Sequence, residues 1–144
     1  MASARLLLVE DEPSVAESLF QSLDEVFDVC WVETAADACW VLDSGEMDVV
    51  LLDCTLRSGS AATVMSLAKK LGLPVVAMSG DADRGDPCRE LGLRFLEKPF
   101  GLDLLIGTLG IALARNRAEQ GREAASAGFV EPSLPVFSDL QLSS

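Results

Sequence analysis

Histidine is absent from this chain of 144 residues. The absence excludes every mechanism that needs an imidazole base, an imidazole metal ligand or a phosphohistidine on the chain itself. Basic residues are also scarce, since 11 Lys and Arg stand against 23 Asp and Glu, which gives a formal net charge of −12. A field of this sign repels nucleic acid and anionic membrane surfaces. We therefore predict protein partners, with no direct nucleic-acid binding and no membrane association.

Long apolar runs and paired cysteines are missing as well. No stretch approaches the roughly 18 apolar residues that a membrane span needs, and the first residues carry no signal-peptide pattern, so we expect a cytoplasmic protein. The cysteines stand singly, without the spacing of a zinc site or a redox motif, which favours small core side chains over disulfides. They are Cys30, Cys39, Cys54 and Cys88.

Short apolar runs alternate with helical patterns over most of the chain. Five runs predict buried strands at Leu6–Val9, Val26–Val32, Asp48–Leu52, Pro74–Met78 and Arg94–Glu97. Five helices are predicted: one from Pro13 to about Asp24, then Ala35–Leu42, Ser60–Leu71, Asp83–Leu91, and a last one that carries Leu102, Leu105 and Leu109. This alternation predicts a doubly wound α/β fold, a parallel five-stranded sheet with helices on both faces.

The composition changes beyond Arg115, where isolated apolar residues stand among polar ones. We expect one domain over residues 1–117 and a C-terminal helix extension that ends in a flexible tail over 118–144. The residues after Arg115 are too few for a helix-turn-helix or a catalytic output domain. We therefore expect a stand-alone domain that signals through a protein partner.

Charged residues directly follow three of the predicted strands. Glu10 and Asp11 follow the first strand, Asp53 the third and Lys98 the fifth. Ligands of an open α/β sheet bind beyond the carboxyl ends of its strands, so these side chains are expected to share one crevice. Carboxylates this close repel one another unless a cation lies among them, and their hard oxygen atoms suit Mg²⁺. The pattern predicts a divalent-cation site suited to phosphoryl transfer, with Asp53 as the nucleophile.

Each of these residues also has a plainer interpretation. Asp53 alone is typical of a residue that caps the following loop, and Lys98 of a surface lysine near a turn. The acidic residues of the first strand end are also typical of the solvated start of a helix, which is the interpretation we take for Glu12. Ser79, which ends the fourth strand, is equally typical of a strand-to-helix cap. The joint occurrence of the acids favours the functional interpretation for Glu10, Asp11 and Asp53.

Four segments taken together resemble the receiver domain of two-component response regulators. They are Val9–Glu12, Leu51–Asp53, Ala77–Gly80 and Phe95–Phe100. The resemblance covers about residues 4–117 and implies a flavodoxin-like sheet with the strand order 2-1-3-4-5. It also implies that the chain is not an enzyme beyond Mg²⁺-dependent self-phosphorylation and slow autodephosphorylation.

The resemblance assigns a role to each site residue. Asp53 would accept a phosphoryl group from a sensor histidine kinase or a histidine phosphotransfer protein. Ser79 and Lys98 would contact that group. Phe95 would be an aromatic switch that moves with Ser79 and changes the face that binds a downstream protein.

The resemblance implies a magnesium site as well. Asp11 and Asp53 would ligate Mg²⁺ directly, Glu10 would act through water, and the backbone carbonyl of Thr55 would complete the protein ligands. Two other functions stay open. One is a receiver-like interaction module that works without phosphate. The other is a phosphohydrolase with an aspartyl nucleophile, a class that carries a second aspartate where Thr55 stands here.

Overall fold

The computed structural model describes residues 3–56, 61–80 and 94–130, without the side chains of 123–130. The predicted helix over Asp83–Leu91, Cys88 and the tail beyond residue 130 lie outside the described residues. Five strands form one parallel sheet: β1 (Arg5–Val9), β2 (Asp28–Val32), β3 (Val49–Asp53), β4 (Val75–Ser79) and β5 (Arg94–Glu97). The strand order is β2-β1-β3-β4-β5. This order confirms the doubly wound class and the order that the resemblance implied.

The described residues contain four helices: α1 (Pro13–Leu23), α2 (Ala35–Leu42), α3 (Ala61–Lys70) and α4 (Leu102–Val130). Pro13 begins α1, where its missing N–H has no helical partner to lose. The Thr34 side chain caps α2 by accepting a hydrogen bond from the backbone N–H of Asp37. Gly45 and Gly72 follow α2 and α3 with φ of 75° and 74°, a backbone conformation that glycine adopts without strain.

The core has one layer on each face of the sheet. Leu6 and Leu8 of β1 belong to the layer that also holds residues of α1 and α4, such as Leu23 and Leu105. The alternating residues Leu7 and Val9 belong to the opposite layer, with residues of α2 and α3. Every residue of β3 and β4 is buried. The sheet is therefore covered by helices on both faces, as predicted.

The predicted start of β2 at Val26 is wrong. The backbone N–H groups of Val26 and Phe27 both donate to the carbonyl of Leu23, at 2.9 and 2.8 Å, so these residues close the end of α1. The strand begins at Asp28. Val26 is exposed whereas Phe27 and Val29 are buried, a pattern that imitates the alternation of a strand.

The chain divides after Leu113 into two compact units, Met1–Leu113 and Ala114–Ser144. The second unit is described only as the helical residues that end at Val130. The predicted domain boundary at residue 117 stays a prediction. Among the described residues, none of the helices combines the length and the apolar character that a membrane span requires. The cysteines Cys30, Cys39 and Cys54 are half-buried and form no disulfide.

Candidate functional site: an acidic pocket at the carboxyl edge of the sheet

The parallel sheet brings the predicted site residues to one edge. Val9 pairs with Leu52, so Glu10 and Asp53 lie side by side at the ends of β1 and β3. Ser79 ends β4, and its backbone carbonyl accepts a hydrogen bond from the backbone N–H of Lys98 at 2.8 Å. Glu10, Asp53 and Ser79 are only 1%, 2% and 0% exposed. Three polar side chains are thus held inside the protein rather than in solvent.

Glu10, Asp11 and Asp53 form a cluster of carboxylates that fits a divalent cation. One oxygen atom of each lies within 4.8 Å of the others. Asp11 is only half-buried, which leaves one side of the cluster open to solvent. All three donors are hard oxygen ligands, the type that Mg²⁺ prefers. The residues present therefore fit the metal that the family resemblance implied.

Lys98 supplies the positive charge of this pocket. Its Nζ lies 3.3 Å from Oε1 of Glu10 and 3.8 Å from Oδ2 of Asp53. The Lys98 side chain is 28% exposed, whereas both of its acidic partners are buried. One ammonium group therefore lies beside two buried carboxylates, on a side chain that is partly exposed to solvent.

The pKa of Glu10 is raised in this pocket. Burial raises the pKa of Glu10 from 4.5 to about 7, and the hydrogen bond and the negative charge of Asp53 act in the same direction. Lys98 and the backbone N–H of Glu12 oppose this rise in pKa. The Glu12 N–H donates to Oε2 of Glu10 at 3.2 Å. The pocket without a bound cation therefore favours the protonated form of Glu10.

Thr55 and Trp31 also contact the site. The contact of Thr55 is the loop cap that was one interpretation of Asp53, whereas the contact of Trp31 was not predicted. Thr55 donates to Oδ1 of Asp53 twice, from its backbone N–H at 3.0 Å and from its hydroxyl at 2.8 Å. The indole N–H of Trp31, in β2, donates to the backbone carbonyl of Glu10 at 2.9 Å. The spacing of Asp53 and Thr55 is that of an Asx turn and offered a sequence signal for the first contact. Nothing in the sequence signals the second contact.

The proposed switch residues lie on adjacent strands. Ser79 is fully buried at the end of β4, and Phe95 is half-buried in β5. Phe95 packs against the core layer that holds α2 and α3. The register pairs Ala77 with Phe95 and Ser79 with Glu97. Phe95 is thus two positions away from the cross-strand partner of Ser79. The coupling of Phe95 and Ser79 stays a prediction.

A family profile described as the response regulator receiver domain matches residues 6–109. The chain belongs to this family. The receiver domain is 34% identical over 108 residues to the swarming motility regulation protein RssB of Serratia marcescens, a match that covers 70% of the chain and 49% of that protein. It is 32% identical over 106 residues to the transcriptional regulatory protein CiaR of Streptococcus pneumoniae, covering 70% of the chain and 47% of that protein.

The fold of this receiver domain is also similar to solved structures. The signal receiver domain of a putative Luxo repressor protein from Vibrio parahaemolyticus is 29% identical and superposes with a TM-score of 0.74, covering 84% of this chain and 98% of that one. The chain spans about half the length of the curated relatives it matches. Residues 6–109 of this chain are thus a receiver domain of the response-regulator family.

Proposed function

We propose that this receiver domain accepts one phosphoryl group on Asp53, with Mg²⁺ as cofactor, from a sensor histidine kinase or a histidine phosphotransfer protein. The observation that carries the proposal is the shared pocket of Glu10, Asp11 and Asp53, with the ammonium of Lys98 3.8 Å from Oδ2 of Asp53. Transfer of a phosphoryl group requires mainly positioning and charge neutralisation. A buried carboxylate beside an ammonium and a cation site meets both requirements.

Asp53 presents two chemically different oxygen atoms. Oδ1 accepts both hydrogen bonds from Thr55, whereas Oδ2 is the oxygen nearest to Lys98. In the proposed reaction, Oδ2 forms a bond to phosphorus while the bond between phosphorus and the donor breaks, and the donor leaves with that electron pair. No proton has to be removed from an ionised Asp53. The reaction is therefore compatible with a chain that contains no histidine.

Lys98 and Ser79 are the groups proposed to contact the transferred phosphoryl oxygens. The Lys98 ammonium is compact and positively charged and lies 3.8 Å from Oδ2 of Asp53, where it would offset developing negative charge. Mg²⁺, held by Asp11, Asp53 and the backbone carbonyl of Thr55, with Glu10 acting through water, would supply neutralisation of the carboxylate and phosphoryl charges.

The proposed output is a change in the protein-binding face. Phosphorylation of Asp53 adds negative charge close to Ser79, and a movement of Ser79 toward that charge would open space for Phe95 on the adjacent strand. We propose that the domain acts in the cytoplasm through a protein partner, without direct nucleic-acid binding, in keeping with the net charge of −12. The domain over residues 1–117 and the extension over 118–144 are part of this proposal.

Intact-mass measurement after incubation with acetyl phosphate and Mg²⁺ tests the acceptor. We expect one added phosphoryl group on the wild type and none on Asp53→Asn. The matched control is Asp43→Asn, which changes an exposed aspartate at the end of α2 and should be labelled like the wild type. Equal labelling of the wild type and Asp53→Asn, or no labelling of either, contradicts the proposal. Continuous turnover of the phosphodonor without a stable label would instead favour a phosphohydrolase.

A further inference from the structure

Trp31 is not one of the pocket residues, and it donates a hydrogen bond to the backbone of one of them, Glu10. Trp31 lies in β2, where it pairs with Leu8 of β1, and its half-buried side chain packs against the core layer that contains Leu8. Its indole N–H donates to the backbone carbonyl of Glu10 at 2.9 Å. The backbone N–H of Glu10 donates to the carbonyl of Val32 at 3.1 Å. The end of β2 thus holds the main chain of Glu10 at both its N–H and its carbonyl.

The position of this contact matters because Glu10 lies just beyond the sheet. The register of β1 and β2 ends at the pair of Val9 and Val32, so the peptide that links Glu10 to Asp11 is the first one past the paired strands. The carbonyl of Glu10 and the N–H of Asp11 belong to one planar peptide group. A donor fixed on that carbonyl therefore fixes the direction in which the chain enters Asp11.

We propose that Trp31 is a positioning residue of the cation site. Its indole N–H holds the peptide between Glu10 and Asp11 in the orientation that lets both carboxylates converge on Asp53. Phenylalanine keeps an aromatic ring against the core layer, is smaller than the indole and offers no donor, so Trp31→Phe removes the N–H while most of the packing is kept. The inference rests on the cation site of the proposed function, and it concerns metal affinity and not the transfer of phosphate.

Removal of a hydrogen-bond partner that orients metal ligands weakens metal binding by about 10-fold to 100-fold. Trp31 acts on the backbone of the ligand segment and not on a ligand atom, so we expect the lower end, about tenfold, for Trp31→Phe. The matched control is Trp40→Phe. Trp40 is the second of the two tryptophans, lies in α2 and is 79% exposed.

Titration with Mn²⁺, which accepts the same oxygen ligands, tests the inference when free Mn²⁺ is measured by electron paramagnetic resonance. We expect a dissociation constant about tenfold higher for Trp31→Phe and an unchanged one for Trp40→Phe. Equal affinity of Trp31→Phe and the wild type would overturn the inference and leave the proposed function standing. A wild type that binds no Mn²⁺ would overturn the cation site of the proposed function together with the inference.

A second measurement leaves Trp31 in place and does not depend on the folding of Trp31→Phe. In Trp40→Phe, the ¹H–¹⁵N spectrum contains a single indole signal, that of Trp31. We expect this indole proton to exchange slowly with solvent and its signal to shift during a Mg²⁺ titration, with the midpoint of the shift at the dissociation constant for Mg²⁺. An indole signal that stays unchanged at saturating Mg²⁺ would overturn the inference.

Discussion

Replacement of Glu10 by glutamine removes a negative charge that destabilises the folded protein above neutral pH. Glu10 is 1% exposed. Burial and the neighbouring carboxylate of Asp53 raise the pKa of Glu10 from 4.5 to about 7. A carboxyl group with a raised pKa binds its proton more tightly in the folded state than in the unfolded state. The stabilisation from that proton is fully present below about pH 4.5 and is lost as the pH rises through 7.

The size of the effect follows from the shift of the pKa. One pKa unit corresponds to about 1.4 kcal/mol, so the rise from 4.5 to about 7 lowers the free energy of unfolding by about 3 kcal/mol once the pH exceeds 7. At about pH 5 the free energy of unfolding is lowered by less than about 1 kcal/mol, because Glu10 is still protonated in the folded protein. Glutamine has nearly the same shape and no charge. We therefore expect Glu10→Gln to be more stable than the wild type by about 3 kcal/mol at pH 8 and by less than about 1 kcal/mol at pH 5.

Urea unfolding followed by tryptophan fluorescence, in a buffer with a chelator and at several pH values between 5 and 8, measures this difference. The control is Glu17→Gln, which removes a charge from an exposed position of α1 and should leave the pH dependence of the wild type unchanged. A stability difference between Glu10→Gln and the wild type that does not grow with pH would refute the reasoning. So would a Glu10→Gln protein that is less stable than the wild type at pH 8.

Further substitutions test the hydrogen bond and the ammonium group beside Asp53, and the packing of the core. Thr55→Val removes the hydroxyl that donates to Asp53 and should slow labelling by acetyl phosphate severalfold. Thr55→Ser keeps a hydroxyl and should be labelled at nearly the wild-type rate. Equal labelling rates for the two variants would contradict a role of the Thr55 hydroxyl. Lys98→Met should lower the labelling rate by about 10²-fold or more, measured by intact mass, because the ammonium beside Oδ2 is lost. Leu109→Ala, at a fully buried position of α4, should lower the free energy of unfolding by about 2–5 kcal/mol in urea titrations. Leu104→Ala, at a position that is 56% exposed, should change it by no more than about 0.5 kcal/mol.

The strand ends that position the site were predictable because apolar runs stop there abruptly. The run Leu6–Val9 is fully buried and ends at Glu10, and the run Val49–Leu52 is fully buried and ends at Asp53. A parallel sheet places such ends at one edge whatever the details of the helices. The convergence of the carboxylates and of Lys98 therefore follows from the pattern of the sequence and from topology alone.

A contact that a side chain makes with a neighbouring strand cannot be predicted from where the apolar runs end. Trp31 is close to Glu10 only because β2 lies beside β1, and its indole reaches one residue beyond the last paired residues. The start of β2 was misjudged for a related reason, since Val26 and Phe27 alternate in exposure as strand residues do while their N–H groups close α1. The pKa of Glu10 depends on burial and on the distance to Asp53, neither of which a sequence pattern specifies.

The raised pKa of Glu10 also indicates how the pocket responds to a cation. A buried acidic cluster with one shared ammonium is unfavourable for stability, and such clusters are typical of functional sites. A divalent cation that binds only the folded state stabilises it by about 2.7 kcal/mol at a hundred times its dissociation constant. Because Glu10→Gln lacks one of the charges that attract the cation, Mg²⁺ should stabilise this variant less than the wild type. Addition of Mg²⁺ at about pH 8 should therefore narrow the stability gap between the two proteins. If the stability difference between Glu10→Gln and the wild type is the same with and without Mg²⁺, Glu10 takes no part in cation binding.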